Sequence, residues 1–144
     1  MSGVQSAELS ERDSGRLVGR AVLPHRAVIG VDIVDVERLR RVLGRSPAAE
    51  DRLFTPAERE YSHSKQDPVR HYAGTLAAKE AVIKAARLGV LGAWSRRIEI
   101  TRDGDGVPTV SIDGQPADVS VSISHDGGMA VAAALTSPSD DSFR

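Results

Sequence analysis

Polar groups stand at three places in this chain where their neighbours make polarity costly. Asp32 interrupts the apolar run AVIGVDIVDV, and Glu80 and Lys84 lie four residues apart in the Ala-rich stretch AGTLAAKEAVIKA. His125 closes the segment SISH just ahead of Asp126-Gly127-Gly128. Two carboxylates from separate segments, in a chain without cysteine and without a histidine cluster, suit a hard divalent cation such as Mg²⁺. That ion takes one or two protein carboxylates and completes its octahedron with water and phosphate oxygens, so the pair predicts a phosphate-bearing substrate.

Each of these residues also has a purely structural use. Glu four residues before Lys is the favourable order on an exposed helix face, worth ~0.2 to 0.5 kcal/mol. Asp32 suits a turn or cap where a strand gives way to a helix, and His125 suits a bond to a backbone carbonyl at a strand end. Glu58, in Thr55-Pro56-Ala57-Glu58, reads first as the reciprocal partner of a helix cap. Arg38, Arg41 and Arg45 form one helical stripe, which is either a solvated face or a site for an acidic partner. Both uses stay open at this level.

The elements that must position these groups are legible in outline. Residues 1–26 show no sustained period and are expected to form a mobile extension. Ile29, Val31 and Ile33 alternate with Gly30, Asp32 and Val34, which predicts a strand with the first set buried and the acid on the other face. Val36, Leu39, Val42 and Leu43 then recur at helical spacing. Thr55 as N-cap and Pro56 as first helical residue open a further helix. After a loop over 64–70, a long Ala-rich helix is expected from about Val69 to Leu88, with Arg87 in its last turn and Gly89 as its C-terminal cap. The remainder alternates as strands, with turns at Asp103-Gly104-Asp105-Gly106, Asp113-Gly114 and Asp126-Gly127-Gly128, and the last two strands read as a hairpin. The fold class is α+β, with a small antiparallel sheet packed on a long helix; the domain is expected over 27–136 and a flexible tail over 137–144.

Composition narrows the function classes. The chain has 144 residues, room for one domain, with 40% hydrophobic and 27% charged residues. Aromatic residues make up only 3%, which leaves little for a base-stacking platform, and a net charge of −1 attracts neither nucleic acid nor an anionic membrane. No apolar run approaches the ~18 to 20 residues of a membrane span. Together with the absence of cysteine, this predicts a soluble cytoplasmic protein with neither nucleic-acid nor membrane partners.

The stretches IGVDIVDVERLRRVL, FTPAERE, AGTLAAKEAVIKA and SISHDGGMAVAAAL, in that order, resemble the holo-acyl-carrier-protein synthases, the small 4'-phosphopantetheinyl transferases. The resemblance runs from about Ile29 to Leu135. It implies a 4'-phosphopantetheinyl transferase-like fold and transfer of the phosphopantetheine arm of coenzyme A to a serine of an apo-acyl carrier protein, releasing 3',5'-ADP. By matching position, Asp32 and Glu80 would hold Mg²⁺ with the coenzyme pyrophosphate, Lys84 would lie beside the phosphate undergoing transfer, and His125 would help bind the nucleotide end. Arg38 would meet the acidic recognition helix of the carrier protein, with Arg41 and Arg45 adding local positive charge. A homotrimer with active sites between subunits is implied as well. Such chemistry leans on positioning and electrostatic stabilisation, and it needs no protein nucleophile.

One position departs from the family pattern: Thr75 stands where the family usually writes an arginine near the coenzyme phosphates. A hydroxyl does not restore a guanidinium. Weaker coenzyme A binding or an altered binding mode is therefore expected, unless Arg70 or another basic group compensates. Two rival readings follow from the same residues: a Mg²⁺-dependent hydrolase of nucleotide pyrophosphates, and a non-catalytic family member that binds carrier protein as a scaffold.

Overall fold

The computed structural model describes residues 27–137, so the expected extension over 1–26 and nearly all of the expected tail over 137–144 lie outside the described residues. Strand β1 (Val28–Asp35) leads into α1 (Val36–Arg45), α2 (Pro47–Leu53), α3 (Pro56–His63) and the long α4 (Pro68–Ala86). A short α5 (Leu91–Trp94) precedes β2 (Ile98–Arg102), β3 (Pro108–Ile112), β4 (Gln115–Pro116), β5 (Val119–Asp126) and β6 (Met129–Thr136). The strands form two three-stranded antiparallel sheets, ordered β1-β6-β5 and β2-β3-β4, and β5 and β6 are the expected hairpin.

The inward face of β1 is the opposite of the one that its alternation predicts. Gly30, Asp32 and Val34 look toward α4, while Ile29, Val31 and Ile33 are 60%, 52% and 60% exposed. Close backbone approach decides this. A methyl group at position 30 would lie 1.9 Å from the Ala81 carbonyl oxygen and 2.7 Å from the Ala85 nitrogen, so only glycine lets α4 settle this deeply on the strand. Ala130, Ala132 and Ala134 of β6 and Ala77, Ala78, Ala81 and Ala85 of α4 are buried, and their small side chains bring helix and sheet together. Strand period then turns the odd-numbered residues of β1 outward, whatever their hydropathy.

Helix α4 begins at Asp67, whose carboxylate accepts from the Arg70 N–H, with Pro68 as first helical residue. Its end corrects the expected cap. The left-handed residue is Arg87, with φ 55°, and the Leu88 N–H closes back on the Ile83 carbonyl at 3.0 Å, a Schellman closure that puts Gly89 beyond the cap.

Helix α3 opens with the predicted capping box. The Thr55 N–H donates to Glu58 Oε2 at 2.8 Å, and the Glu58 N–H donates to Thr55 Oγ1 at 3.4 Å. Glu58 does more than cap. Its carboxylate also accepts from the Ile100 N–H at 2.8 Å and pairs with Lys79 Nζ at 2.6 Å, both side chains being fully buried. Lys79 further donates to the carbonyls of Leu53, at 2.9 Å, and Ser95. Burial pushes the Glu58 carboxyl up and the Lys79 ammonium down, and each partner's charge opposes the other's shift. The pair joins α3, α4 and β2, and removing one partner strands the other charge in the core. Lys79→Met is expected to cost about 3 to 5 kcal/mol in denaturant unfolding; an unchanged midpoint would show that the pair is not an anchor.

Candidate active site

Asp32 and Lys84 meet across the β1–α4 contact. Lys84 Nζ donates to Asp32 Oδ1 at 2.8 Å and to the Val31 carbonyl at 2.8 Å. Glu80 lies one turn earlier on α4 and is half-buried. Burial, and then the nearby Asp32 carboxylate, hold the Glu80 carboxyl above its ordinary range, while Lys84 opposes them. The structural alternatives for these residues are not what the fold displays. Lys84 pairs with the strand rather than with Glu80, and the N-cap of α1 is Asp35, which accepts from the Arg38 N–H at 2.9 Å.

Asp32 and Glu80 border one cavity of about 560 Å³, with Arg38 also in its lining and Leu39, Leu76 and Met129 among its apolar walls. Two carboxylates turned toward one space repel each other, and Lys84 neutralises only part of that charge. The donor set fits a hard cation. Among the described residues no group of three or more carboxylate, histidine or cysteine ligands gathers, so such an ion would take its remaining ligands from water and from a substrate.

The other expected site residues lie elsewhere. His125 packs on α4 beside Gly74, where a methyl group would come within 2.9 Å of Nε2. Its Nε2–H donates to the Arg70 carbonyl at 2.9 Å, the strand-end bond that the sequence allowed. Gly74 and Glu80 are six residues apart, about 9 Å along the helix axis. Thr75 is fully buried and, like His125, is absent from the lining of the cavity. Its hydroxyl instead accepts from Arg102 Nη2 of β2 at 3.4 Å. Arg41 and Arg45 are exposed on α1 in line with Arg38, and among the described residues none of the three guanidinium groups pairs with a carboxylate. Arg102, with Tyr61 and His71 near it, carries no functional signal in the sequence. In the alternation of IEITR it reads as an ordinary strand-end charge, and only the packing of β2 against α3 and α4 sets it against Thr75.

This assembly of an α+β fold around a long Ala-rich helix, with paired carboxylates at its contact with the first strand, has recognised relatives. A profile of the 4'-phosphopantetheinyl transferase superfamily matches residues 28–136, and the chain belongs to that family. Holo-[acyl-carrier-protein] synthase of Anaeromyxobacter dehalogenans is 38% identical over 120 residues, covering 74% of this chain and 92% of the relative. That of Desulforudis audaxviator is 38% identical over 126 residues, covering 81% and 96%. Among solved structures, the synthase of Neisseria meningitidis superposes with a TM-score of 0.67 at 30% identity, covering 75% of this chain and 95% of that one. The Helicobacter pylori synthase, in complex with coenzyme A, gives 0.64 at 28% identity, covering 75% and 99%.

The raised Glu80 carboxyl has a consequence for stability. The folded state binds its proton more tightly than the unfolded chain does, so the group favours folding below the ordinary carboxylate pKa and opposes it above the folded value. At neutral pH with a chelator present, Glu80→Gln is expected to leave the thermal midpoint unchanged or raised by up to a few degrees. A clear fall in that scan would identify Glu80 as a structural anchor.

Proposed function

We propose that this chain transfers the 4'-phosphopantetheine group of coenzyme A to a serine of an apo-acyl carrier protein, giving holo-carrier protein and 3',5'-ADP. The observation that carries the reading is the grouping of Asp32, Glu80 and Lys84 at the β1–α4 contact, two carboxylates lining one cavity and an ammonium paired with the first of them. Family membership and the named relatives support it.

Asp32 and Glu80 would hold Mg²⁺, which when bound supplies positive charge to the pyrophosphate of the coenzyme. The serine oxygen bonds to the β-phosphorus while the bond from that phosphorus to the bridging oxygen breaks, and 3',5'-ADP leaves with the bridging oxygen. The serine proton passes to Glu80 or to solvent. Lys84, held by the Val31 carbonyl as well as by Asp32, keeps an ammonium beside the phosphate whose charge redistributes. No residue of the chain forms a covalent bond to the group transferred.

Arg38 lies at the cavity and continues outward as the exposed stripe Arg41 and Arg45. An acidic helix of the carrier protein would lie along it and bring its serine to the carboxylates. The homotrimer belongs to the same reading. The outward face of β1, with Ile29, Val31 and Ile33, continues onto β6 through Val131 and Leu135, an apolar surface suited to another copy of the chain. His125 would then bind the nucleotide end of a coenzyme whose pyrophosphate rests on a neighbouring chain, which accounts for its distance from Glu80. The reaction is assigned to the cytoplasm; no helix among the described residues is long and apolar enough to cross a membrane.

Intact mass spectrometry of apo-carrier proteins incubated with this protein, coenzyme A and Mg²⁺ tests the reading. A chelator-sensitive gain of one phosphopantetheine group is expected, with a loss of roughly 100-fold or more in Glu80→Gln. Cleavage of coenzyme A without carrier would mark a hydrolase, and carrier binding without modification a scaffold. Arg38→Glu should raise KM for carrier roughly 10-fold with little change in kcat, an effect that shrinks as salt rises. Equal KM values at low salt would remove the arginine stripe from carrier recognition.

A further inference from the structure

The family arginine missing at position 75 leaves a question of charge that the structure answers from another element. Arg102 reaches from the end of β2 to α4 and places Nη2 3.4 Å from Thr75 Oγ1. It is half-buried, its guanidinium rests over the Tyr61 ring at 4.9 Å from the ring centre, and Nη1 donates to the Ile100 carbonyl at 3.3 Å. Among the described residues no carboxylate forms an ion pair with it. Burial opposes its charge more than Tyr61 and the attraction of the buried Glu58 carboxylate support it, and an arriving anion would make up the difference. Other basic groups lie close by. Tyr61 meets the edge of His71 at 5.7 Å between ring centres, and His71 in turn lies 6.3 Å from His125. Burial, and then the charges of His125, Lys65, Arg102 and Arg70, hold the His71 imidazole below its ordinary value, in keeping with a locally positive field.

We infer that Arg102 is a coenzyme-binding residue of this chain, supplying from β2 the guanidinium that α4 lacks at position 75 and clamping the 3'-phosphate of coenzyme A. The inference rests on the transferase reading above. Coenzyme A carries a pyrophosphate and a separate phosphate monoester, and the Asp32–Glu80 pair takes the first. Arg102 stands with Thr75 outside that cavity, beside the His125 end of α4, so the monoester is the phosphate within its reach. Thr75 then has a definite use: its small side chain leaves room for Arg102, and its hydroxyl accepts one of the guanidinium's hydrogens while others stay free for phosphate oxygens. An arginine at both positions would set two guanidinium groups against each other in a half-buried space.

Calorimetric binding of 3',5'-ADP and of 5'-AMP to the full chain tests this without any carrier protein. Arg102→Met is expected to weaken 3',5'-ADP roughly 10- to 100-fold and to leave 5'-AMP within about twofold, with Arg102→Lys intermediate because a point charge lacks the fork. Thr75→Arg alone is expected to lower the thermal midpoint, whereas Thr75→Arg combined with Arg102→Met should recover most of the 3',5'-ADP affinity. In transfer assays the Arg102→Met loss should fall on KM for coenzyme A and not on KM for carrier. Equal loss for both nucleotides, no loss for either, or no recovery in the double variant would overturn the assignment. If Arg102→Met fails to fold, Arg102→Lys decides by the same ratio of nucleotide affinities. Failure of the wild-type chain to modify any carrier while the nucleotide ratio still shifts would sink the transferase reading and leave Arg102 as a phosphate-binding residue.

Discussion

The contact of Gly30 with the backbone of α4 is the constraint on which the site depends. With no side chain on β1 at that point, the strand lies against the Ala81 carbonyl and the Ala85 nitrogen, and the helix cannot be exchanged for one riding a layer higher. Two residues on, the same inward face delivers Asp32, and the helix delivers Glu80 and Lys84 from either side of Ala81. The geometry of the candidate centre is therefore set by backbone packing and not by flexible side chains. Lys84 completes it: bonded to a carbonyl of β1 as well as to Asp32, it has little freedom to drift into solvent although half of its side chain is exposed.

Helix α4 carries two lysines with opposite tasks. Lys79 is fully buried, with its ammonium held by Glu58 and by the carbonyls of Leu53 and Ser95, so its charge is spent on joining three elements. Lys84 lies five residues later, nearly on the opposite face of the helix, where water and a substrate can reach it. Replacement by a neutral residue at one position thus has nothing in common with the same replacement at the other. The first strands a buried carboxylate, and the second leaves two neighbouring carboxylates without their cation.

Local features of this fold were legible in the chain because they depend on adjacent residues. The Thr55–Glu58 capping box and the β5–β6 hairpin involve spacings of a few positions, and each appears where its residues predict it, while α4 starts at Pro68, one residue before the expected Val69 and inside the expected loop. The inward face of β1 was not legible. Alternation assigns the more apolar set to the interior, but here the interior belongs to the set containing Gly30, a residue with no hydropathy signal, and the isoleucines look outward. The helix end was misplaced for a related reason: glycine is the usual left-handed residue, yet Arg87 adopts that conformation two positions before Gly89. Asp32, Glu80 and Lys84 could be named because polarity inside an apolar pattern is visible in one segment at a time. The Glu58–Lys79 pair and Arg102 could not, because their partners lie in distant elements and only tertiary packing brings them together.

The outcome for His125 and Thr75 bears on how a chain of this size handles a large substrate. Both are on α4 or packed against it, yet neither joins Asp32 and Glu80 in their cavity. A helix presents its residues around a full circle, so one helix cannot turn every functional side chain toward one cleft. In the proposed reading, the pyrophosphate chemistry uses the face toward β1, and the nucleotide end uses the face toward β5 and β2. Repetition of the chain by symmetry can bring the first face of one copy to the second face of another, and an outward sheet surface bearing Ile29, Val31 and Ile33 has the apolar character that such an assembly requires. The same reversal of β1 that sends Asp32 inward places those three residues on the surface, so the candidate site and the surface proposed for assembly have a common origin in Gly30.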